Sequence, residues 1–404
     1  MWGHGDNGYV VEILWHRREP RRETEKTNIN LTDRKKPVYA RGKVAMKGIR
    51  RFAVLTLMLL LALAGTSSGA ELGPLPASDN AHLDAPKAIP FDIPALKKNW
   101  RERIAAIKAK GTLPVIDVES SFNSNKLNLR RFAQAMDEAG VALIAYSHDA
   151  NNTKWSDMAA RVVGVDPWRF IPTTNGGVHP AWTENPKKFL AENLNHAVSD
   201  GYPLLGEFEF RHYPSPRQLK RGELFRDVAV PINGPLGQEL FAFAEKTGIP
   251  FEIHYEIEDA LLPPLEEMLG RYPRAKVIWC HLAQIRYSGR SSVYGPAYVR
   301  GLLEKYPNLY IDVAFGDSFS KYPGSNEYQA RVWSGGSVRK EWVELIVQQP
   351  WRFLAAFDLG GDRQDQLPEY NSKLRKFLNQ IPEPAREIVA YKAAWKLLFG
   401  DELP

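Results

Sequence analysis

The sequence contains a single cysteine, Cys280, among its 404 residues. One cysteine excludes an intramolecular disulfide and a zinc module built from several cysteines. The chain also lacks an apolar run of the roughly 20 residues that a membrane-spanning helix needs. Its charged share of 25% and hydrophobic share of 44% are those of an ordinary globular protein. Composition therefore excludes a disordered, collagen-like or multi-span membrane chain.

The positive charge of the chain is unevenly placed. The formal net charge is +6, but the excess of Lys and Arg over Asp and Glu lies in residues 1–70. The rest of the chain is nearly neutral, so it carries no electrostatic signature of nucleic-acid binding. We expect a small-molecule substrate and no nucleic-acid partner, and the sequence leaves a homo-oligomer open.

The N-terminal region has the layout of an export signal. Within 46–70, a basic start precedes the apolar run Phe52–Gly65, and small residues end at Ala70. This order is typical of a secretory signal peptide cleaved after Ala70. An uncleaved membrane anchor is the alternative, but the run is shorter than the roughly 20 residues of a span. We expect residues 1–45 to be a disordered extension of the gene model. The mature protein would be periplasmic or secreted, without stable membrane insertion.

From residue 113 onward, short β-rich apolar runs alternate with amphipathic helical patterns. Two of the helical patterns end at Gly140 and Gly248, directly before a strand, which is the usual C-terminal signal of a helix. The predicted strands are Leu113–Phe122, Val141–His148, Arg169–Thr174, Tyr202–His212, Ile249–Tyr255, Ala275–Leu282, Leu309–Phe315 and Phe353–Asp358.

Eight such units predict an α/β fold, namely a (β/α)8 TIM barrel with parallel strands over residues 113–404. A lead-in segment over residues 71–112 precedes it. A doubly wound open sheet is the alternative, but no glycine-rich nucleotide-binding motif follows any predicted strand.

Acidic and imidazole side chains stand where the predicted strands end. They are Glu119, Glu207, His254, His281 and Asp358. In a barrel of this kind the carboxyl ends of the strands form the functional face, so these side chains should converge. Two histidines with carboxylates and no thiolate form a ligand set for zinc, manganese or iron. By strand alternation, Cys280 should face the helices, away from His281.

Four further residues are candidates to bind substrate. Arg211 and Arg286 could hold a carboxylate or phosphate by two hydrogen bonds. His148 and His212 could line the same mouth of the barrel. The alternative for all four is a solvent-facing position with no role in binding.

On these residues the chain resembles the amidohydrolase superfamily, in its amidohydrolase-related branch of barrel hydrolases and decarboxylases. The resemblance covers roughly residues 113–400 and includes the closing helix AYKAAWKLLFG. It implies that His254 and His281 serve a metal site, and that Asp358 orients or deprotonates the attacking water. It also implies that Glu207 can be a metal ligand, as a glutamate ending strand four is in some related hydrolases.

The first strand departs from the family pattern. The family carries a His-x-His motif there, and this chain has Glu119 and Ser121 at the two histidine positions. Glu119 could bind a metal through oxygen, whereas Ser121 would be a poor ligand. The departure argues against a two-metal site and leaves a one-metal site or a metal-free descendant.

The sequence therefore predicts an exported hydrolase that cleaves an ester, lactone, amide or phosphoester bond. It would use one divalent metal, zinc in the first place or else manganese or iron, held by His254, His281 and carboxylates from Glu207 or Glu119. Asp358 and His281 would be the catalytic residues. Two alternatives stay open: a metal-free binding protein or pseudoenzyme, and a glycosidase that uses Glu119 and Glu207 as its carboxylate pair.

Overall fold

Strands and helices alternate along the chain from Val115 onward. The computed structural model describes residues 72–79, 87–148, 157–283, 286–314 and 332–403, all within one compact unit. The predictions for residues 1–45 and 46–70 lie outside the described residues.

The described residues contain twelve strands. In chain order they are β1 Val115–Phe122, β2 Val141–His148, β3 Phe170–Pro172, β4 Leu205–Glu209, β5 Arg211–His212, β6 Val228–Ala229, β7 Phe251–His254, β8 Val277–Trp279, β9 Leu309–Asp312, β10 Trp333–Ser334, β11 Ser337–Val338 and β12 Phe353–Leu354.

Eight of these strands close into a parallel barrel. One sheet has the order β1-β2-β3 and a second has the order β4-β7-β8-β9-β12. Parallel bridges join the two sheets at both edges, Thr173 to Leu204 and Ser120 to Leu359. The (β/α)8 barrel predicted from the sequence is therefore confirmed. The remaining pairs, β5 with β6 and β10 with β11, are short antiparallel ribbons.

Helices lie on the outside of the barrel, one before the first strand and the others between or after the strands. They are α1 Ile93–Ala109, α2 Leu129–Ala139, α3 Met158–Val165, α4 Ala181–Glu184, α5 Pro186–His196, α6 Pro216–Lys220, α7 Pro235–Thr247, α8 Leu262–Arg271, α9 Pro296–Lys305, α10 Lys340–Gln348, α11 Leu367–Leu378, α12 Ala385–Glu387 and α13 Ala393–Phe399. None of the helices in the described ranges is both long and apolar enough to cross a membrane.

Local sequence signals set several helix ends. The Asn128 side chain caps α2 by accepting a hydrogen bond from the Arg131 N–H at 2.9 Å. Gly140 and Gly248 end α2 and α7 with φ of 66° and 75°. This left-handed conformation costs glycine little because it has no Cβ, so the predicted glycine stops are confirmed.

The predicted strand Tyr202–His212 is interrupted in the structure, which corrects that prediction. Only Leu205–Glu209 belongs to the barrel as β4, and Arg211–His212 forms the separate ribbon strand β5. The Phe210 N–H still bonds the His254 carbonyl at 3.1 Å, but the Phe210 carbonyl accepts the Val230 N–H at 2.8 Å. The chain therefore leaves the barrel wall at Phe210, and Arg211 does not continue the face that carries Glu207.

Candidate active site

The carboxyl ends of the barrel strands surround a cavity of about 830 Å³. Glu207, His254, His281 and Asp358 line it, and each lies near the carboxyl end of a different barrel strand or just after it. Four of the five residues predicted to converge therefore share one cavity. Glu119 is not among the lining residues and lies buried beside His281.

Glu207, His254 and His281 meet at one point in this cavity. Glu207 Oε1 lies 2.7 Å from His254 Nδ1 and 3.1 Å from His281 Nε2. The same two ring nitrogens are 3.0 Å apart. The three ligand-type atoms form a triangle, which we call the upper site.

The electrostatics of the upper site follow from burial and from the Glu207 charge. Burial opposes ionisation of Glu207, but the charges and hydrogen bonds of the two histidines hold its pKa well below the usual range. Burial lowers the pKa of His254 to about 3. Burial would also lower the pKa of His281, but the hydrogen bond and the charge of Glu207 outweigh burial and raise the pKa of His281 to about 9.

The donor set of the upper site fits a divalent transition metal. Two imidazole nitrogens and one carboxylate oxygen are preferred zinc ligands, and metal bonds of about 2.0–2.1 Å place tetrahedral ligands about 3.3 Å apart. The triangle edges of 2.7, 3.0 and 3.1 Å are close to that spacing. His254 Nε2, the other ring nitrogen, is buried without a hydrogen-bond partner. Small movements would therefore let these residues hold an ion.

A strained turn orients His281. His281, Leu282 and Ala283 have φ of 59°, 51° and 60°, which L-residues seldom adopt. Asp312 Oδ1 accepts the N–H groups of His281 at 2.8 Å and Ala314 at 2.9 Å. The Ala314 carbonyl lies 3.1 Å from His281 Nδ1. When Nδ1 donates to that carbonyl, Nε2 is left as the ligand atom toward Glu207.

Glu119 lies on the other edge of the His281 ring. Its Oε2 is 3.5 Å from His281 Nδ1, so it adjoins the upper site without belonging to the triangle. Burial, followed by the charges of Asp312 and Glu207, raises its pKa well above the usual value. Ser121, at the second family histidine position, accepts the Gly361 N–H at 3.2 Å.

Cys280 does not face the helices, and this corrects the sequence prediction. Its Sγ and carboxylate oxygens of Glu119 and Glu207 lie within 4.8 Å of one another, inside the barrel. Strand alternation stops at Trp279, where β8 ends, and the backbone becomes left-handed at His281. Cys280 and His281 can therefore both point inward, although they are neighbours in the chain. Periodicity could not have anticipated this change of direction.

Asp358 lies four residues after the last barrel strand, β12, which ends at Leu354 and not at Asp358 as predicted, and it has a φ of 50°. Its side chain is 48% exposed. Arg363 Nη2 donates to the Asp358 carbonyl at 2.7 Å and approaches Oδ1 at 3.3 Å. Asp358 thus presents a carboxylate to the cavity, and its orientation is fixed by an arginine five residues later.

The four predicted substrate-binding residues separate into two pairs. His212 and Arg286 line the cavity, whereas Arg211 and His148 are not among its lining residues. Arg211 donates to Asp227 and to the Val228 carbonyl, and its guanidinium lies 3.5 Å from the centre of the Tyr213 ring. His148 Nε2 lies 3.4 Å from Ser124 Oγ.

Sequence reasoning missed several charged residues of this region. Arg226 enters the cavity from the loop before β6 and pairs with the buried Glu209. Asp312 was missed because it falls in the middle of the predicted strand Leu309–Phe315. In the structure β9 ends at Asp312, and Phe315 lies outside the described residues. The only signal for Asp312 was a carboxylate near a strand end. Further cations of the cavity wall are Lys126, Arg217, Arg221, Arg363 and Lys373.

Comparison with protein families gives a match that includes the three residues of the upper site. A family model described as Amidohydrolase matches residues 174–354. Over these residues the chain is similar to that family. The resemblance inferred from the sequence is thus confirmed, and Glu207, His254 and His281 lie inside the matched segment. Glu119 and Asp358 lie outside it. A comparison with curated proteins found no match.

Solved structures of amidohydrolase-related enzymes are similar to this chain at low identity. A 2,6-dihydroxybenzoate decarboxylase from Rhizobium has 12% identity and a TM-score of 0.45, over 71% of this chain and 99% of that chain. A Polaromonas dihydroxybenzoic acid decarboxylase with bound manganese has 12% identity and a TM-score of 0.43, over 70% and 96%. A probable 2-pyrone-4,6-dicarboxylic acid hydrolase from Acinetobacter baumannii has 14% identity and a TM-score of 0.44, over 71% and 99%.

Proposed function

We propose that this amidohydrolase-family protein is a metal-dependent hydrolase. It would use an activated water to cleave an ester, lactone, amide or phosphoester bond in a small molecule. The observation that carries the proposal is the meeting of Glu207, His254 and His281 in the wall of a cavity. A metal-free binding site has no evident need for two histidines and a carboxylate packed at one point.

One divalent ion would be held by Glu207, His254 and His281. Zinc suits this nitrogen-rich set, and manganese or iron also accept it. When bound, such an ion supplies a Lewis acid and lowers the pKa of a coordinated water to about 7. Glu119, which the sequence also suggested as a ligand, would act on the opposite edge of His281.

Asp358 is proposed as the general base. It is the exposed carboxylate of the cavity wall that follows the last strand, and Arg363 holds its carbonyl and carboxylate in place. A positioned carboxylate can take a proton from the attacking water and pass it to the leaving group. His212 and Arg286 stay proposed substrate contacts on the same cavity.

The proposal is tested with the full chain, purified without chelators or an added His tag. Metal content would be measured by mass spectrometry, and hydrolysis screened on lactones, esters, amides and phosphoesters. His254→Ala should lose both metal and activity, because a ligand is missing. Asp358→Ala should keep the metal but lose about 10²–10⁴-fold in kcat, the usual contribution of a general base.

His196→Ala provides a matched control. His196 lies on α5 and bonds Asp200 at 2.7 Å, outside the cavity lining, so this variant should keep both metal and activity. If folded Asp358→Ala and His281→Ala variants retain full activity, the assignment of these catalytic residues is wrong. If the wild type takes up no metal when it is offered, the metal-free binding protein replaces the hydrolase.

The glycosidase alternative fits the geometry less well. Carboxylate pairs of glycosidases flank an open groove at about 5–10 Å. Here oxygens of Glu119 and Glu207 lie within 4.8 Å of each other, and Glu119 is buried out of the cavity lining. A sugar ring would have no access to Glu119.

Export is a separate proposal. Cleavage after Ala70 would release a periplasmic or secreted protein, and N-terminal sequencing of the protein from its source cells would test this. Light scattering on the same material would decide whether the protein is a homo-oligomer.

A further inference from the structure

The described residues expose few large hydrophobic side chains, and half of these lie close together. Six are exposed, and three of the six come from seven consecutive residues, namely Leu219 at 37%, Leu224 at 68% and Phe225 at 54%. They belong to the segment 213–227, which connects β5 to β6, and α6 in this segment contacts the turn Leu224–Arg226. Single exposed hydrophobic side chains are common on soluble proteins, whereas a group of them marks a surface that contacts something apolar.

Hydrogen bonds and an ion pair hold this segment in shape. A capping box begins α6, in which Ser215 Oγ accepts the Gln218 N–H at 3.3 Å and Gln218 Oε1 accepts the Ser215 N–H at 2.7 Å. Near the other end of the segment, Arg226 pairs with the buried Glu209 of the barrel wall. The hydrophobic side chains between these two anchors are therefore held at the surface by an ordered backbone.

The segment lies at the mouth of the cavity that contains the upper site. Arg217, Arg221 and Phe225 line that cavity, and so does His179. The ring centres of Phe225 and His179 are 4.9 Å apart. A partner that covers Leu224 and Phe225 would therefore also lie over the cavity entrance.

Two uncompensated cations stand on the same helix. Arg217 and Lys220 are exposed, and neither forms an ion pair within the part of the chain that the structure describes. Arg221, by contrast, donates two hydrogen bonds of 2.6 and 2.8 Å to Glu223. Two positive charges are thus left on either side of Leu219, next to an apolar surface.

We propose that these side chains form a docking surface for an anionic lipid bilayer, which we call the rim patch: Arg217, Leu219, Lys220, Leu224 and Phe225. Apolar side chains at such a surface enter the boundary between headgroups and acyl chains, and Lys and Arg are attracted to anionic headgroups. A short apolar insertion binds weakly by itself, so the two cations are needed as well. Docking does not depend on the hydrolase proposal, because the rim patch contains neither a metal ligand nor the general base.

Charge and position favour a bilayer over a protein partner. In a symmetric dimer formed through the rim patch, the same surface of both chains would meet, and Arg217 and Lys220 would approach the same cations of the second copy. A protein seated on the patch would also close the cavity entrance. A bilayer leaves a route open, because its own molecules, or solutes dissolved in it, can pass from its surface into the cavity.

A fluorescent reporter can be placed on the rim patch alone, because the single native cysteine, Cys280, is buried. Leu224→Cys and Val198→Cys would each be labelled with an environment-sensitive dye in the full chain. Val198 is the matched control, since it is 62% exposed but lines a separate cavity beside α1 and α13. A local reporter is needed because the apolar run Phe52–Gly65 could bind lipid independently of the rim patch.

The labelled proteins would be titrated with vesicles of phosphatidylglycerol and phosphatidylcholine, and with vesicles of phosphatidylcholine alone. We expect the emission of the dye at position 224 to shift to the blue on the anionic vesicles, because the dye enters an apolar environment. The dye at position 198 should show no shift. On phosphatidylcholine alone, the shift at position 224 should need much more lipid.

Paired substitutions test the role of charge in the variant that carries the dye at position 224. Arg217→Gln with Lys220→Gln should weaken binding to the anionic vesicles by roughly 10–30-fold, since each cation near such a surface contributes about a factor of five. Lys98→Gln with Lys110→Gln is the control, because it removes two exposed cations at α1, away from the rim patch. This pair should change binding by less than about twofold.

Each outcome supports or overturns the rim patch. A blue shift confined to position 224 on anionic vesicles, and weakened by loss of Arg217 and Lys220, supports it. No shift at position 224, or an equal shift at positions 224 and 198, overturns it, as does equal binding to both kinds of vesicle. A shift that appears without vesicles and grows with protein concentration shows that a second copy covers the patch instead. None of these outcomes decides the hydrolase proposal, which depends on metal content and on Asp358→Ala.

Discussion

Two buried aspartates act in the same way at the residue scale. Asp117 Oδ1 accepts the N–H groups of Glu119 at 3.0 Å and Phe357 at 2.9 Å, and its Oδ2 accepts the Ser120 hydroxyl at 2.5 Å. It thereby ties the first barrel strand to the last. Asp312 ties the turn at His281 to the end of β9. Each carboxyl fixes backbone directly beside a proposed ligand, so each is a positioning residue for the site.

We predict that Asp117→Ala lowers the free energy of unfolding by about 2–4 kcal/mol, because it removes three hydrogen bonds and leaves buried N–H groups unpaired. Burial raises the pKa of Asp117 to about 8, so burial disfavours its charge, and a neutral amide still offers an oxygen to both N–H groups. Asp117→Asn should therefore cost only about 1 kcal/mol. Urea unfolding of both variants checks this, and equal losses would contradict the hydrogen-bond explanation.

At the scale of elements, the helix before the barrel is anchored through one arginine. Arg103 of α1 is fully buried and donates to the carbonyls of Val141 at 2.9 Å and Ala142 at 2.8 Å, at the start of β2. It also bonds the Leu72 carbonyl at 2.6 Å and pairs with Asp137 at 2.7 Å. The lead-in segment is therefore an integral part of the barrel's amino-terminal end.

Arg103→Leu should lower the free energy of unfolding by about 3–5 kcal/mol, since it leaves buried carbonyls and a carboxylate without their donor. Arg101→Leu on the same helix is the control. The Arg101 side chain is 41% exposed and pairs with Asp401 at the surface, so its loss should cost less than about 1 kcal/mol. Denaturant unfolding followed by tryptophan fluorescence measures both. A similar effect of the two substitutions would show that α1 is not anchored through Arg103.

For the whole molecule, the barrel centre carries more buried acid than base. The buried acids around the site are Asp117, Glu119, Glu209, Glu252, Glu256 and Asp312. Arg226 pairs with Glu209, and Arg286 is close to Glu256. Among the described residues, the other four acids form no ion pair with Lys or Arg, and His281 is the only basic side chain next to them. Bound metal would compensate this charge and so link function to stability.

Removing metal should consequently destabilise the whole chain. Binding of an ion present at 100 times its Kd adds about 2.7 kcal/mol. For a folded unit of about 300 residues, that corresponds to a fall in Tm of about 4 °C when a chelator is added. Manganese or zinc added back should restore the Tm. A thermal unfolding scan with and without chelator measures this, and an unchanged Tm would favour the metal-free binding protein.

The barrel and the core of the upper site could both be predicted from the sequence. Short β-rich runs alternating with amphipathic helices predict parallel β/α units, because both periodicities are local properties of the chain. The placement of Glu207, His254, His281 and Asp358 followed, since side chains at the carboxyl ends of parallel strands face one rim. The family match over residues 174–354 includes three of these positions, Glu207, His254 and His281.

Which further residues join that rim depends on how the chain folds in three dimensions. Arg211 left the barrel at Phe210, and Cys280 turned inward because the backbone at His281 is left-handed. Asp312 and Glu119 come together from strands far apart in the chain. Such contacts depend on closure of the barrel and on local breaks in strand alternation. Neither leaves a periodic signal in the sequence.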